Sequence, residues 1–376
     1  MDRVVIVEAV RTPTARYGSP RALTAHHLLD QTLGELLARA KLEAAAVDGL
    51  VTAGRGVPTA LRRATLGQPR AGGRSLMHDA VEAVASGAHG LLVVAAVDAP
   101  SAALPPAAVR RAAATAAHGG LRRAELDAYV RRSRRRAEEV HEKGEFKPEI
   151  IPLSAPGPRA QTVLDADELA GADADGLLGT GEGHPGPRTD HSAHRARGAA
   201  AMALATESHA LRLGLRPRAR FTALARAQGD PECAATGVIE ATRKVLSTGG
   251  PGTHRLDAHR PGTHRPGTPG LDAHRLDAHR LDAHRLDHYE IDETFACVPL
   301  LWQRAFAADS DRLNPRGGAL ALGHLGDAAA LRSTVTMLGA LAATGGRLGL
   351  LASGHGGATA SAAVVELLPQ PEPPLW

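Results

Sequence analysis

Aromatic side chains are scarce in this sequence: four Phe, three Tyr and two Trp among 376 residues. A core must therefore be built from small aliphatic side chains, and a hydrophobic content of 43%, mostly Ala, Leu and Val, can supply one. The same scarcity excludes a basic surface interleaved with base-stacking aromatics, so no nucleic-acid partner is expected. Cysteine is nearly absent. Cys233 and Cys297 are too few for a disulfide framework or a zinc ligand set, and no metal site is assigned. No apolar run approaches the ~20 residues that a membrane-spanning helix needs. Val4-Val5-Ile6-Val7 is too short for the apolar region of a secretory signal. These absences leave a soluble, cytoplasmic protein without a membrane partner as the expectation. The formal net charge is +4, with Arg spread along the chain and one denser run at Arg131–Arg136. A modest positive field of this kind suits an anionic ligand.

The length suffices for two core-bearing halves. Residues 3–8 form a short apolar run that reads as a buried strand. Residues 25–40 place Leu28, Leu29, Leu33, Leu36 and Leu37 on one helical face. Residues 48–53 read as a strand, 75–86 as a helix and 89–96 as a third strand. Strand, helix, strand, helix, strand implies a parallel α/β layer. Residues 98–120, rich in Ala and Pro, carry no clear period. Residues 124–143 predict a charged helix whose Arg run gives a solvated face. Residues 155–195 read as loops. Strand–helix passages follow at 198–212 and at 219–227 with 234–247. Further on, 290–296 leads from strand to helix, a Gly-rich turn at 317–324 precedes a helix at 328–344, and 347–353 with 360–367 reads as a closing hairpin.

Residues 251–290 fall into pentamers of the types PGTHR and LDAHR, ending in LDHYE, and carry seven of the 19 His residues. A five-residue period advances about 140° per unit on a helix and alternates faces on a strand, so it cannot keep a buried stripe. The plainer account is a tandem duplication extruded as a loop, which a fold tolerates cheaply. A His-rich metal-binding tract is the other.

Several blocks taken together resemble the thiolase family. They are Val4–Pro13 ending in Arg11-Thr12-Pro13; Asp127–Ser133 with Gly144–Pro152; Thr162–Glu168; Gly198–Ala201; Leu213–Ala219; Gly237–Leu246; Tyr289–Ala296; Asn314–His324; and Gly349–Glu366. Their order covers nearly the whole chain outside 251–280. The resemblance implies an α/β, duplicated αβαβα layered fold with a CoA-binding loop region. The halves are expected at 1–205, including the loop region at about 100–195, and at 206–368, with the pentamer insertion at 251–280 and a tail at 369–376.

The resemblance also implies an acyl-CoA thioester as substrate, no permanently bound cofactor, and acyl transfer through a cysteine acyl-enzyme. A homodimer or tetramer, or a pairing with a paralogous thiolase, is expected. His324 matches the Gly-His position, where the family builds an oxyanion site. Asp292 stands where the family has Asn, and a carboxylate there is expected to repel developing negative charge. The nucleophilic cysteine should precede the helix at 75–86, yet counting back reaches Arg70 or Ala71, and Ser75 is a helix-start hydroxyl. The second cysteine should lie in the closing hairpin, where Gly354-His355-Gly356 stands instead. His355 could titrate near neutral pH and serve as a replacement base, and a plain loop histidine is the other reading. Cys297, after the Asp292 block, reads as a buried core thiol. Arg226 stands where the family approaches CoA and can pair with its phosphates. The missing cysteines predict an impaired or inactive acyl-CoA C-acyltransferase. The alternatives are a non-catalytic subunit, or cysteine-independent decarboxylation or retro-aldol cleavage of CoA esters.

Overall fold

The computed structural model describes residues 2–16, 19, 23–54, 76–98, 104–155, 161–170, 191–248, 283–355 and 358–369. The pentamer insertion, Arg70, Ala71, Ser75 and most of the tail lie outside them.

The described chain folds around one mixed sheet. Its N-terminal half consists of β1 (Val4–Arg11), β3 (Gly49–Gly54), β4 (Leu91–Asp98) and β7 (Ala196–Thr206), with the short β2 (Ala15–Arg16) beside β7, a separate pair β5 (Leu153–Ser154) and β6 (Thr162–Leu164), and a short helix α5 (Glu207–Arg212) after β7. Its C-terminal half consists of β8 (Ala219–Gln228), β9 (His288–Ile291), β10 (Leu348–Gly354) and β11 (Thr359–Leu367). The order is β3-β4-β7-β1-β8-β11-β10-β9. Read outward from the centre, each half repeats one pattern. The first strand pairs antiparallel with the last (β1 with β7, β8 with β11). The last strand pairs antiparallel with the next (β4, β10), which pairs parallel with the edge strand (β3, β9). The halves meet antiparallel where Val5 faces Arg220 and Ile6 faces Ala219.

Strand alternation then sorts the core into layers. Val5, Val7 and Val10 face α1 (Ala25–Ala40), joined by Leu28, Leu29 and Leu36. Val4 and Ile6 face the interior, where α2 (Leu76–Ala85) and α9 (Ala329–Thr344) lie between the two half-sheets. Ala360, Ala362 and Val364 face outward again onto α6 (Thr236–Thr248) and α7 (Cys297–Phe306). Helix, half-sheet, helix pair, half-sheet, helix gives the αβαβα order. Small side chains let these layers approach closely: Ala199–Ala201 and Ala203 on β7 are all fully buried.

Three latches hold the intervening segments. Arg11 is 0% exposed. Its Nε donates to Glu149 (2.7 Å), and its Nη1 and Nη2 donate to Asp167 (both 2.8 Å), while its guanidinium stacks 5.1 Å from the Phe146 ring. The Arg-Thr-Pro turn thus pins the 144–170 segment to β1. Its Thr12 hydroxyl accepts the Ala199 amide at 2.9 Å. A second latch centres on Glu293, also buried. Its carboxylate accepts from Tyr129 and Ser133 on α4 (Arg123–Glu142) and from the Asn314 amide, at 2.7–2.8 Å. Burial raises the Glu293 carboxyl above its ordinary range. The third is Asn314, in the left-handed region at φ 44°. Its side chain donates to the Ile291 carbonyl (2.9 Å) and accepts the Ile291 amide (2.8 Å), closing that part of the β9 edge as a neighbouring strand would.

Two sequence expectations change here. Residues 106–118 form a helix, α3, started by Pro106 at its first turn. The Arg run on α4 is also not uniformly solvated. Arg131 and Arg135 face solvent, but Arg134 is buried. Arg136 donates to the carbonyls of Ser310 and Leu313, tying down the loop before Asn314. The 3.6-residue period carries i and i+4 outward and turns the positions between them inward.

Candidate functional site

The carboxyl ends of β4, β9 and β10 converge with the start of β7 at one edge of the layers, and the sequence-predicted groups collect there. Asp292 follows β9 directly. Its Oδ1 accepts the Thr294 amide (2.7 Å) and the Thr294 hydroxyl (2.6 Å), an Asx turn that starts the passage into α7. Its Oδ2 accepts the Gly354 amide at the end of β10 (3.2 Å). These donors stabilise the charged form of the carboxylate. Three donors hold Asp292 as a clamp between the β9 and β10 ends.

His324 closes the Gly-rich turn after α8 (Ala319–Leu322). Its amide donates to the His194 carbonyl (2.7 Å), and its carbonyl accepts the Ala196 amide (3.2 Å), so the residues before β7 fix its backbone. Its Nδ1 lies 3.3 Å from the Thr294 hydroxyl. That hydroxyl gives its only proton to Asp292, so His324 donates from Nδ1 and keeps a lone pair on Nε2. Burial pushes the His324 imidazolium down to about 4. Asp292 opposes this shift, and the cations Arg195 and Arg332 add to it. Arg195 itself donates to Asp98 at the end of β4 (2.6 Å). Gly326 makes room for that pair: a Cβ there would lie 2.5 Å from Asp98 Oδ2.

His355 sits in the hairpin turn, its amide bonded to the Thr359 carbonyl at 3.0 Å. Its Nε2 lies 2.7 Å from the hydroxyl of Ser361. Burial pushes this imidazole down to about 4, so the expected near-neutral titration is corrected: the ring is neutral at pH 7. Asp292 acts electrostatically on both imidazoles and on Cys297, and is the common neighbour of the cluster.

The thiol nearest in sequence to the cluster is inert. Cys297 is 2% exposed at the start of α7, and burial pushes its thiol up to about 12, which removes the thiolate at neutral pH. Cys233 lies in the turn before α6. Arg226 departs from its expected role. It projects from β8 into the central layer and pairs with Asp79 and with Glu82 (3.3 Å) on α2. Two carboxylates match its charge there, which leaves it poorly suited to a CoA phosphate.

The structure therefore brings Asp292, His324 and His355 together and turns Arg226 inward. It adds Thr294, Ser361 and the Arg195–Asp98 pair, which the sequence reading did not single out. The Asp-x-Thr spacing of an Asx turn was the available signal for Thr294. Ser361 is six positions beyond His355, and only the hairpin register brings it into contact.

Known proteins resemble the chain in both sequence and fold. A family model described as the thiolase C-terminal domain matches residues 269–367. The steroid 3-ketoacyl-CoA thiolase FadA6 of Mycobacterium tuberculosis is 32% identical over 257 residues, 66% of this chain and 53% of that protein. An acetyl-CoA acetyltransferase of Chromobacterium violaceum is 31% identical over 257 residues, covering 67% and 58%. The chain belongs to the thiolase family. The matched stretch spans just over half the length of these curated relatives. The crystal structure of the Bacillus anthracis acetyl-CoA acetyltransferase superposes with a TM-score of 0.78 at 23% identity, covering 98% of this chain and 99% of that one. That likeness supports the layered thiolase fold. Among the described residues, no helix is long and apolar enough to cross a membrane.

Proposed function

We propose that this protein binds an acyl-CoA thioester at the Asp292–His324–His355 cluster without the cysteine acyl transfer that the family's chemistry requires. One observation carries the reading. Blocks distant in sequence converge on two neutral imidazoles around a clamped carboxylate, and the thiol beside them, Cys297, is held protonated by burial. Such a site can polarise a thioester carbonyl or exchange a proton at an α-carbon. It lacks the thiolate that would take the acyl group as an enzyme thioester. The CoA thioester is ligand or substrate, and no cofactor is held permanently. The halves act as one unit, in a homodimer or tetramer in the cytoplasm.

A non-catalytic subunit beside an active paralogue is the second reading. It is favoured by the joint absence of cysteine at 70–71 and at 354. The two readings share the binding step, which isothermal titration with CoA and with acetoacetyl-CoA measures. The expected result is binding that His324→Ala and Asp292→Ala each weaken several-fold. No detectable binding of either compound to the folded protein would refute the proposal.

A further inference from the structure

The contact between Ser361 and His355 joins two positions of the closing hairpin, and it lies on the interior face of the C-terminal half-sheet. Along β11, Ala360, Ala362 and Val364 face outward, whereas Ala363 and Val365 join the central layer. Ser361 shares their side of the strand. Directly opposite it on β8 stands Arg226, held by Asp79 and Glu82 of α2. The hydroxyl of Ser361 thus faces the helix that the family's nucleophile would precede. It is 3% exposed. Its oxygen lies 2.7 Å from Nε2 of His355, within reach for proton transfer. The turn that carries His355 is anchored one residue earlier, where Gly354 donates to Asp292.

We propose that Ser361 and His355 form a hydroxyl–imidazole dyad that accepts the acyl group of a thioester, making this site a slow acyl-CoA hydrolase. The inference rests on the acyl-CoA reading above. In the tautomer that leaves Nε2 unprotonated, the Ser361 hydroxyl donates to His355. As its oxygen bonds to the thioester carbonyl carbon, the proton passes to Nε2. The carbon–sulfur bond breaks, and the CoA thiolate leaves with the proton from His355. Water then attacks the Ser361 ester, giving its proton to the imidazole. The acyl–oxygen bond breaks, the carboxylic acid departs, and the Ser361 hydroxyl recovers its proton. Water is the only co-reactant. The reaction suits small acyl groups, because the hydroxyl is 3% exposed. A neutral imidazole whose proton affinity is depressed is a weak base, so the expected rate is low and acyl-enzyme accumulates.

The test incubates the full chain separately with p-nitrophenyl acetate and with acetyl-CoA. Intact-protein and peptide mass spectrometry locate any acetyl group, and titration follows acetyl-CoA binding in parallel. The expected result is acetylation of Ser361 by both reagents, lost in Ser361→Ala and reduced at least ten-fold in His355→Gln, with each variant's fold checked by its melting curve. p-Nitrophenyl acetate does not depend on CoA recognition. No Ser361 adduct from it, in protein that melts like the native chain, overturns the dyad. Binding of acetyl-CoA without an adduct overturns the dyad and leaves the acyl-CoA reading standing. An adduct from p-nitrophenyl acetate with no binding of acetyl-CoA supports the dyad chemistry and overturns the CoA substrate.

Discussion

Acidification should destabilise the protein through two named imidazoles. His324 and His355 have an ordinary value of 6.5 when unfolded and about 4 in the fold, because burial penalises the imidazolium. Between those values the unfolded chain binds more protons than the folded one, so stability falls as pH falls. The contribution is fully present above pH 6.5, is lost progressively toward about pH 4, and is level below that. The difference corresponds to about 3 kcal/mol per imidazole in full, of which about 2 kcal/mol is gone by pH 5. Glu293 acts in the opposite sense, because its raised carboxyl favours the fold at low pH. Comparison with single variants separates the effects. Urea unfolding at pH 7 and pH 5 should show that His324→Asn and His355→Asn each lose about 2 kcal/mol less on acidification than the native chain. The same loss in native and variant proteins would refute the claim that these rings are buried neutral.

Three further perturbations follow from the geometry. Glu293→Ala strands Tyr129, Ser133 and Asn314 around a vacated carboxylate and should cost about 3–5 kcal/mol in denaturant unfolding. Gly326→Ala places a Cβ 2.5 Å from Asp98 Oδ2 at a φ of +49°, and should cost about 1–3 kcal/mol while weakening acyl-CoA binding through Arg195. Arg226→Met should lower the melting temperature yet leave CoA affinity within a factor of about two, because Asp79 and Glu82 already occupy the guanidinium. Titration calorimetry checks that contrast.

The strands and helices of both halves were legible because apolar periodicity and burial agree along them. The eight Ala- and Val-rich residues of β4 are buried without exception, and they read as an apolar run. The helix at 106–118 was not legible, because its Ala-rich sequence marks no face and its start is signalled only by proline. At the site, the positions of Asp292, His324 and His355 were readable from their blocks, but their electrostatic states were not. A sequence names a carboxylate without showing that three donors surround it. It names a histidine without showing how much water the fold removes. Arg226 illustrates the same limit, since its partners lie 144 and 147 positions away in the chain.

The central claim is a thiolase fold whose acyl-CoA site works without a cysteine nucleophile. It is tested most directly by a CoA-dependent thiolysis assay with acetoacetyl-CoA on the native protein, with and without iodoacetamide, beside Ala71→Cys. The account predicts no iodoacetamide-sensitive thiolysis by the native chain and no acetyl group on Cys233 or Cys297. Turnover by Ala71→Cys would show that the rest of the site is assembled. Native thiolysis that iodoacetamide or Cys297→Ser abolishes would contradict the account.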